Sequence, residues 1–102
     1  MEIPGRLQEY PCSDYFQSEL SEQGYWDESA QIWLIVAADE AEEQPEIGFL
    51  AIGRAGVDGI DFGYRKGEPG FWAYHPMESE FQLLAPTVQE FLAGWCSGSI
   101  SV

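Results

Sequence analysis

Basic residues are scarce in this sequence: Lys and Arg together number 4, against 18 Asp and Glu, which gives a formal net charge of −14. A field of that sign repels nucleic acid and anionic membrane surfaces and attracts basic partners. The composition therefore opposes binding to nucleic acid or to a membrane. A plainer explanation is that the acidity only keeps a small protein soluble, and composition alone does not decide between the two.

Long apolar runs, a secretory leader pattern and paired cysteines are also missing. No run approaches the ~20 apolar residues that cross a bilayer, and the N-terminus has no basic region followed by an apolar one. Cys12 and Cys96 form no CxxC motif, which favours two unpaired thiols in a reducing compartment. We therefore expect a cytoplasmic protein.

The motifs of catalysis and metal binding are equally scarce. His75 is the only histidine, so the chain has no HxxxH or HExxH spacing, and a structural role is favoured over a ligand or a general base. Gly53, Gly56 and Gly59 suggest a phosphate-binding loop, but a strand is expected to follow them rather than a helix, which favours a turn or bulge. We predict no catalytic residue, no metal and no cofactor.

What the chain has is enough apolar material for one folded domain over residues 1–102, with 45% hydrophobic and 15% aromatic residues. Residues 1–11 contain glycine and proline and predict an irregular lead-in, and residues 97–102 predict a loose tail. The four tryptophans would suit a ligand cage if they were exposed together. Their places in expected strands and helices favour a shared core instead.

The centre of the chain predicts an antiparallel meander of three strands. The strands are Ile47–Ile52, Ile60–Arg65 and Phe71–His75, and in the second one large apolar residues alternate with other types, as in a half-buried strand. The links Gly53–Gly59 and Lys66–Gly70 carry the glycine and proline that turns prefer.

Further strands and two helices are expected on either side of the meander. The apolar run Ala30–Ala38 predicts a central strand buried on both faces, and Phe81–Leu84 predicts a short strand. Asp14–Gln23 predicts an N-terminal helix, after which Tyr25 and Trp26 should fold back onto the core. Together with an amphipathic C-terminal helix, these elements make an α+β fold with an antiparallel or mixed sheet of about 4–5 strands.

The C-terminal helix has the clearest local signal in the sequence. Thr87 begins a capping-box pattern that ends at Glu90. Val88, Phe91 and Trp95 then recur at helical spacing, as expected for an apolar face on a helix of about nine residues.

Acidic residues concentrate between the apolar run and the meander, in Asp39–Glu46. Such a segment is typical of a solvated link or single helical turn, and the alternative is a recognition surface for a basic partner. If a partner binds, two clusters of carboxylates are the candidates. They are Asp39, Glu40, Glu42, Glu43 and Glu46, and, as the second cluster, Glu78 and Glu80.

Two stretches resemble the SUKH superfamily, which groups fungal cell-wall assembly regulators with many bacterial toxin-immunity proteins. FLAIGRAGVDGIDFGY (Phe49–Tyr64) is similar to the family's strand, glycine-rich turn and second strand, and LLAPTVQEFLAGW (Leu83–Trp95) is similar to its C-terminal helix. YPCSDYFQSEL (Tyr10–Leu20) resembles the family's entry helix to a lesser degree. Arg54 and Val88 depart from the family pattern, and the shared motifs bear on fold rather than on activity.

The resemblance implies a non-enzymatic protein that binds and occludes a toxin, with a basic nuclease as one such partner. A regulatory or scaffold module of the same fold is the alternative. A small-ligand site lined by Tyr64, Trp72, Tyr74 and His75 is a third hypothesis. Because so small a core has little area to spare, we also expect self-association as a homodimer.

Overall fold

One antiparallel sheet dominates the computed structural model, which describes residues 3–56 and 58–102. Its seven strands run in the order β1-β2-β4-β5-β6-β7, with β3 also paired to β4. The strands are β1 Tyr25–Asp27, β2 Ile32–Ile35, β3 Glu42–Gln44, β4 Phe49–Arg54, β5 Asp61–Arg65, β6 Glu68–His75 and β7 Glu80–Ala85.

Three α-helices accompany the sheet: α1 Ser13–Phe16, α2 Leu20–Gln23 and α3 Val88–Ser97. Short 3₁₀ helices cover Gly5–Leu7 and Ala38–Glu40. The predicted α+β class is confirmed, but the expected 4–5 strands are too few. The additional strands β1 and β3 are three residues each, shorter than the runs of 4–8 residues from which a strand is predicted.

The predicted meander is confirmed in β4, β5 and β6, which pair in sequence order. The second link is tighter than expected, because Arg65 pairs with Glu68 and only Lys66 and Gly67 form the turn. Gly67 adopts φ 75°, a left-handed conformation that glycine reaches without strain. In the first link Gly56 and Gly59 also have positive φ, as a turn requires, and residue 57 lies outside the described part of the chain.

Strand β2 is not the expected central strand buried on both faces. It lies second from one edge of the sheet, and its ladder with β4 consists of the single pair of Ile35 with Gly53. Its pairing with β1 skips Leu34, and this bulge turns both Leu34 and Ile35 into the core while Trp33 points out at 50% exposure.

The single N-terminal helix predicted over Asp14–Gln23 is two helices of four residues each. They are separated at Ser18, whose hydroxyl donates to the carbonyl of Tyr15 at 2.8 Å and accepts from the amide of Leu20 at 3.2 Å. A serine that bonds its own backbone in this way competes with continuous helix formation.

Helix α3 confirms the predicted cap and adds a second one. The Thr87 side chain accepts a hydrogen bond from the amide of Glu90 at 3.1 Å. Asp14, on α1, accepts from the amide of Val88 at 2.7 Å and from the hydroxyl of Tyr64 at 2.9 Å. One carboxylate thus joins α1, β5 and the start of α3.

The chain ends were expected to be looser than they are. Leu7 and Tyr10 are buried within the predicted irregular lead-in, of which residues 1 and 2 lie outside the described part. At the other end, the amides of Ser99 and Ile100 donate to the carbonyl of Gly94, and Ile100 packs against the core. Both ends therefore help to cover one face of the sheet.

The hydrophobic core lies between the sheet and the three α-helices. Its centre is aromatic: the ring of Phe62 lies 4.8 Å from that of Phe91 and 5.5 Å from that of Trp95, measured between centroids. Phe71 lies 4.7 Å from Phe91 and 5.3 Å from Tyr64. The expected core of four tryptophans is wrong, because only Trp95 packs against this cluster.

Candidate functional site

The sheet face opposite the helices, which we call the open face, has no α-helix of the described residues packed on it. Strand alternation and ring contacts place these side chains on it: Trp26, Trp33, Arg54, Asp61, Arg65, Trp72, Tyr74, Phe81 and Leu83. Leu83 is 57% exposed and Trp26 41% exposed. Large apolar side chains gathered on one exposed surface often mark an interaction site.

Three aromatic rings pack against one another at the open face. Phe81 lies 5.0 Å from Tyr74 and 5.5 Å from Phe49 between ring centroids, and Phe49 is fully buried beneath them. At Gly63 on β5, a Cβ atom would overlap the backbone carbonyl oxygen of Leu50 on β4. The absent side chain of Gly63 therefore lets β4 and β5 approach each other beside this cluster.

Arg65 extends this cluster with a positive charge. Its guanidinium carbon lies 4.7 Å from the ring centroid of Trp72 and 4.2 Å from that of Phe81. These are cation–π distances, and the ring faces attract the charge electrostatically. One aromatic pair of the open face, Trp72 and Phe81, is thus covered by an arginine of the same chain.

A second aromatic pair stands at the opposite side of the open face. Trp26 and Trp33 face each other across β1 and β2 with ring centroids 5.4 Å apart and planes at 69°. Beside them is a hollow of ≈ 550 Å³, with Ile32 and Val36 in its apolar wall and Glu40 and Arg54 among its charged residues. Its volume falls within the roughly 300–1,000 Å³ usual for ligand pockets.

The first predicted acidic cluster does not form one surface. Glu40 and Glu42 line a small hollow of the open face that also includes Asp61. Glu43 points to the other side of β3, where its carboxylate accepts a hydrogen bond from the hydroxyl of Tyr10 at 3.1 Å. Asp39 and Glu46 are exposed. Alternation along β3 is the physical reason for this division.

The second predicted cluster, Glu78 and Glu80, is exposed and lies at the start of β7. Strands β4, β5 and β6 separate it from the acidic residues of β3. Because neighbouring strands lie about 4.8 Å apart, the two clusters are too far from each other to bind the same side chain of a partner.

Asp61 lies on the open face between these two clusters. Burial raises the pKa of its carboxyl above the ordinary value, and Glu42 nearby adds to the rise. A hydrogen bond from the side-chain amide of Gln44, at 3.2 Å, and the charge of Arg54 act in the opposite direction. Arg54 is the cross-strand neighbour of Asp61 on β4, so the two opposite charges lie side by side on the open face.

The small-ligand site expected from Tyr64, Trp72, Tyr74 and His75 does not form. Tyr64 is buried on the helix-bearing face, whereas Trp72 and Tyr74 lie on the open face. His75 is at 2.8 Å from the side-chain oxygen of Gln82, in a contact between strands β6 and β7. Successive residues of a strand point to opposite faces, so Tyr74 and His75 cannot line one pocket, and Tyr64 faces away from Trp72 and Tyr74.

Strand β7 is the longer of the two strands at the ends of the sheet order. Its Leu83 adjoins a mostly apolar hollow of ≈ 470 Å³ formed with Pro69, Gly70 and Pro86. The outer edge of a strand at the end of a sheet can add a strand from another chain. The predicted homodimer remains a prediction, and this is the edge at which it would form.

The two cysteines differ in environment. Burial raises the pKa of the Cys12 thiol to about 11, and the charge of Asp14 adds to the rise. Cys96 is exposed, and its sulfur lies 3.2 Å from the hydroxyl of Tyr25. Reactivity of a thiol requires both access and the thiolate form.

We therefore expect one thiol per chain to react rapidly with a disulfide reagent at pH 8 in the native protein, and the second only on unfolding. The measurement is the released thiolate absorbance with and without denaturant. Cys96→Ser is the control and should abolish the fast phase. A fast phase of two thiols would contradict the burial of Cys12.

Comparison of the chain with models of known protein families, with curated proteins and with solved structures gives no match. The resemblance to the SUKH superfamily thus stands on its sequence motifs alone. Among the described residues, no three side chains of the types that bind metal ions come together. No helix in the same part of the chain is long and apolar enough to cross a membrane.

Sequence reasoning missed the residues that distinguish the open face. The sequence predicts both Trp26 and Trp33 in the core, and the apolar run that contains Trp33 gives no sign of the bulge that exposes it. Arg65 stood in an alternating strand, and its position opposite the apolar side chains was the one local signal of its exposure.

Proposed function

We propose that this chain is a non-enzymatic protein-binding domain whose open face binds a basic protein. The observation that carries the proposal is the open face itself, where exposed aromatic and aliphatic side chains lie beside Glu40, Glu42 and Asp61. Interfaces of this kind use aromatic anchors at the centre and charges around them.

The distribution of charge supports a basic partner. The chain has 18 acidic residues, and within residues 3–56 and 58–102 the ion pair formed is that of Lys66 with Glu9, at 2.9 Å. Arg65 is engaged with aromatic rings and Arg54 lies in the field of Asp61. Most carboxylates therefore face solvent without a cation of their own chain, and they steer a basic protein toward this one.

The resemblance to the SUKH superfamily supports a finer proposal: the partner is a toxin, such as a basic nuclease, which the chain neutralises by covering its active cleft. The acidic open face complements the phosphate-binding surface that a nuclease presents. A regulatory or scaffold module of the same fold would use the same face, and the identity of the partner separates the two.

The first experiment isolates the partner and then measures its association. The tagged chain is incubated with lysate of its own cells, washed at low and then moderate salt, and the retained protein is identified and purified. We expect a stoichiometric basic protein whose retention falls as salt rises, because exposed charge pairs are screened over roughly 10 Å at 0.1 M salt.

Glu40→Lys combined with Glu42→Lys should then slow association with that protein by about tenfold or more at low salt. The matched control is Glu19→Lys with Glu22→Lys, which makes the same change in net charge at exposed positions of the helix-bearing side. We expect the control to slow association much less. Equal slowing by both pairs, or none by either, would contradict binding through the open face.

A further inference from the structure

The open face presents two aromatic pairs, and they differ in whether a cation of the same chain lies over their rings. Trp72 and Phe81 hold the guanidinium of Arg65 at 4.7 and 4.2 Å from their ring centroids. Trp26 and Trp33 have no cation over their rings among the described residues, and they are 41% and 50% exposed. Exposed indole faces are costly to leave in water and are the best ring faces for cation–π contact.

The hollow beside this second pair has the chemistry that an arginine side chain requires. Its aromatic walls are Trp26 and Trp33, and because their planes lie at 69° a planar guanidinium can stack on one of the two rings. Ile32 and Val36 can pack against the methylene groups of the arginine. Glu40 supplies a carboxylate whose two oxygens match the fork of guanidinium donors.

Arg54 is the one basic residue that lines the same hollow, and it does not occupy the rings. Its charge lowers the pKa of Asp61, which places it in the electrostatic influence of that carboxylate. Glu40 is the one carboxylate among the residues that line this hollow, so it is the acidic partner for an incoming cation. A planar guanidinium stacks in such surroundings better than the strongly hydrated ammonium of lysine.

We propose that the hollow beside Trp26 and Trp33 binds an arginine side chain of the partner protein, with Glu40 as its counter-ion. This inference rests on the proposed function for the source of the arginine, and it names the residues at which binding energy is concentrated. Tryptophan and arginine dominate such centres of protein interfaces.

The test uses a small probe in place of the partner. N-acetyl-arginine amide is titrated into the protein at constant ionic strength, and the four indole N–H signals are followed by NMR. The signals of Trp26 and Trp33 should shift saturably, and those of Trp72 and Trp95 should not. The neutral analogue N-acetyl-citrulline amide has nearly the same shape and should bind at least about fivefold more weakly.

Variants then assign the contacts. Trp33→Ala should lower the affinity for N-acetyl-arginine amide by roughly tenfold, and Glu40→Gln should lower it by several-fold. Leu83→Ala removes an equally exposed apolar side chain from the other side of the same face and should leave probe affinity unchanged. Equal affinities for arginine and citrulline, or for arginine and N-acetyl-lysine amide, would overturn the assignment, as would a Trp33→Ala protein that binds the probe normally.

The failure of this inference is distinguishable from that of the proposed function. With the purified partner, Trp33→Ala should increase the dissociation rate and leave the association rate unchanged, since uncharged contacts act after encounter. If Trp33→Ala alters neither rate while the Glu40/Glu42 variant still slows association, the open face binds a basic protein and the arginine site is wrong. If neither variant has an effect, both proposals fall.

Discussion

Phe62→Ala should lower the free energy of unfolding by about 3–5 kcal/mol, the usual cost of removing a buried phenylalanine ring. Phe62 has no exposed surface, and its ring contacts those of Phe71, Phe91 and Trp95, so the helix-bearing face closes around it. A domain is stable by only about 5–15 kcal/mol, and we expect the variant to be partly unfolded at 37 °C. Urea unfolding followed by circular dichroism measures the loss.

Phe81→Ala is the matched control, since it removes the same ring from the open face. Phe81 is only half-buried and contacts Phe49, Tyr74 and Arg65. We expect a smaller loss, of about 1–2 kcal/mol, because less apolar surface returns to water. Losses of equal size would contradict the assignment of the core to the helix-bearing face.

Local signals in the sequence located the elements that lie on the core side. The alternation in β5 and the capping-box pattern at Thr87 each involve residues a few positions apart, so the chain carries them in full. Both are present in the structure, in the burial of Phe62 and Tyr64 and in the hydrogen bond from Glu90 to Thr87. Residues that interact within one element are the ones a single sequence identifies best.

Contacts between residues that are far apart along the chain cannot be identified in this way from a single sequence. Asp14 lies in the first turn of its own helix, α1, and it also accepts a hydrogen bond from the amide of Val88, 74 positions away. The bulge at Leu34 depends on how β1 and β2 pair, and the run of apolar residues from Ile32 to Val36 has the same pattern with or without it. Its consequence is the exposure of Trp33, on which the candidate site depends.

The candidate site follows from the difference between the two faces of the sheet, of which one is covered by the helices and the other is the open face. A sheet that is covered on one side must satisfy its other side with water or with a partner. The chain covers part of that side itself, with Arg65 over Trp72 and Phe81, and leaves Trp26 and Trp33 accessible. An acidic surface with exposed tryptophans is suited to a basic partner rather than to a second copy of the same acidic chain.

Alkaline pH should destabilise this protein more steeply than its net charge alone predicts. Burial is the largest cause that raises the pKa of the hydroxyls of Tyr15 and Tyr64 well above 10.0, and it raises that of Tyr10 to about 12. The charge of Asp14 adds to the effect at Tyr64, and that of Asp39 at Tyr15. In the unfolded chain these groups lose their protons near pH 10.

The sign of the effect follows from these directions. A group whose pKa is raised by folding contributes its full stabilisation below the unfolded pKa and loses it as pH rises toward the folded value. Above pH 10 the unfolded state binds fewer protons than the native state, so the free energy of unfolding should fall by about 1.4 kcal/mol per pH unit for each buried tyrosine. Tyr15 and Tyr64 together would then cost about 3 kcal/mol at pH 11.

Urea unfolding from pH 8 to pH 11.5 measures this slope, and Tyr15→Phe should reduce it by the equivalent of one proton above pH 10. Tyr15→Phe also removes the hydrogen bond from the hydroxyl to the carbonyl of Val36, so its stability at pH 8 is the reference for its own curve. Repeating the scan at high salt separates general repulsion, which salt screens, from proton loss at buried hydroxyls. A slope abolished by salt, or unchanged by Tyr15→Phe, would show that these hydroxyls do not control the alkaline transition.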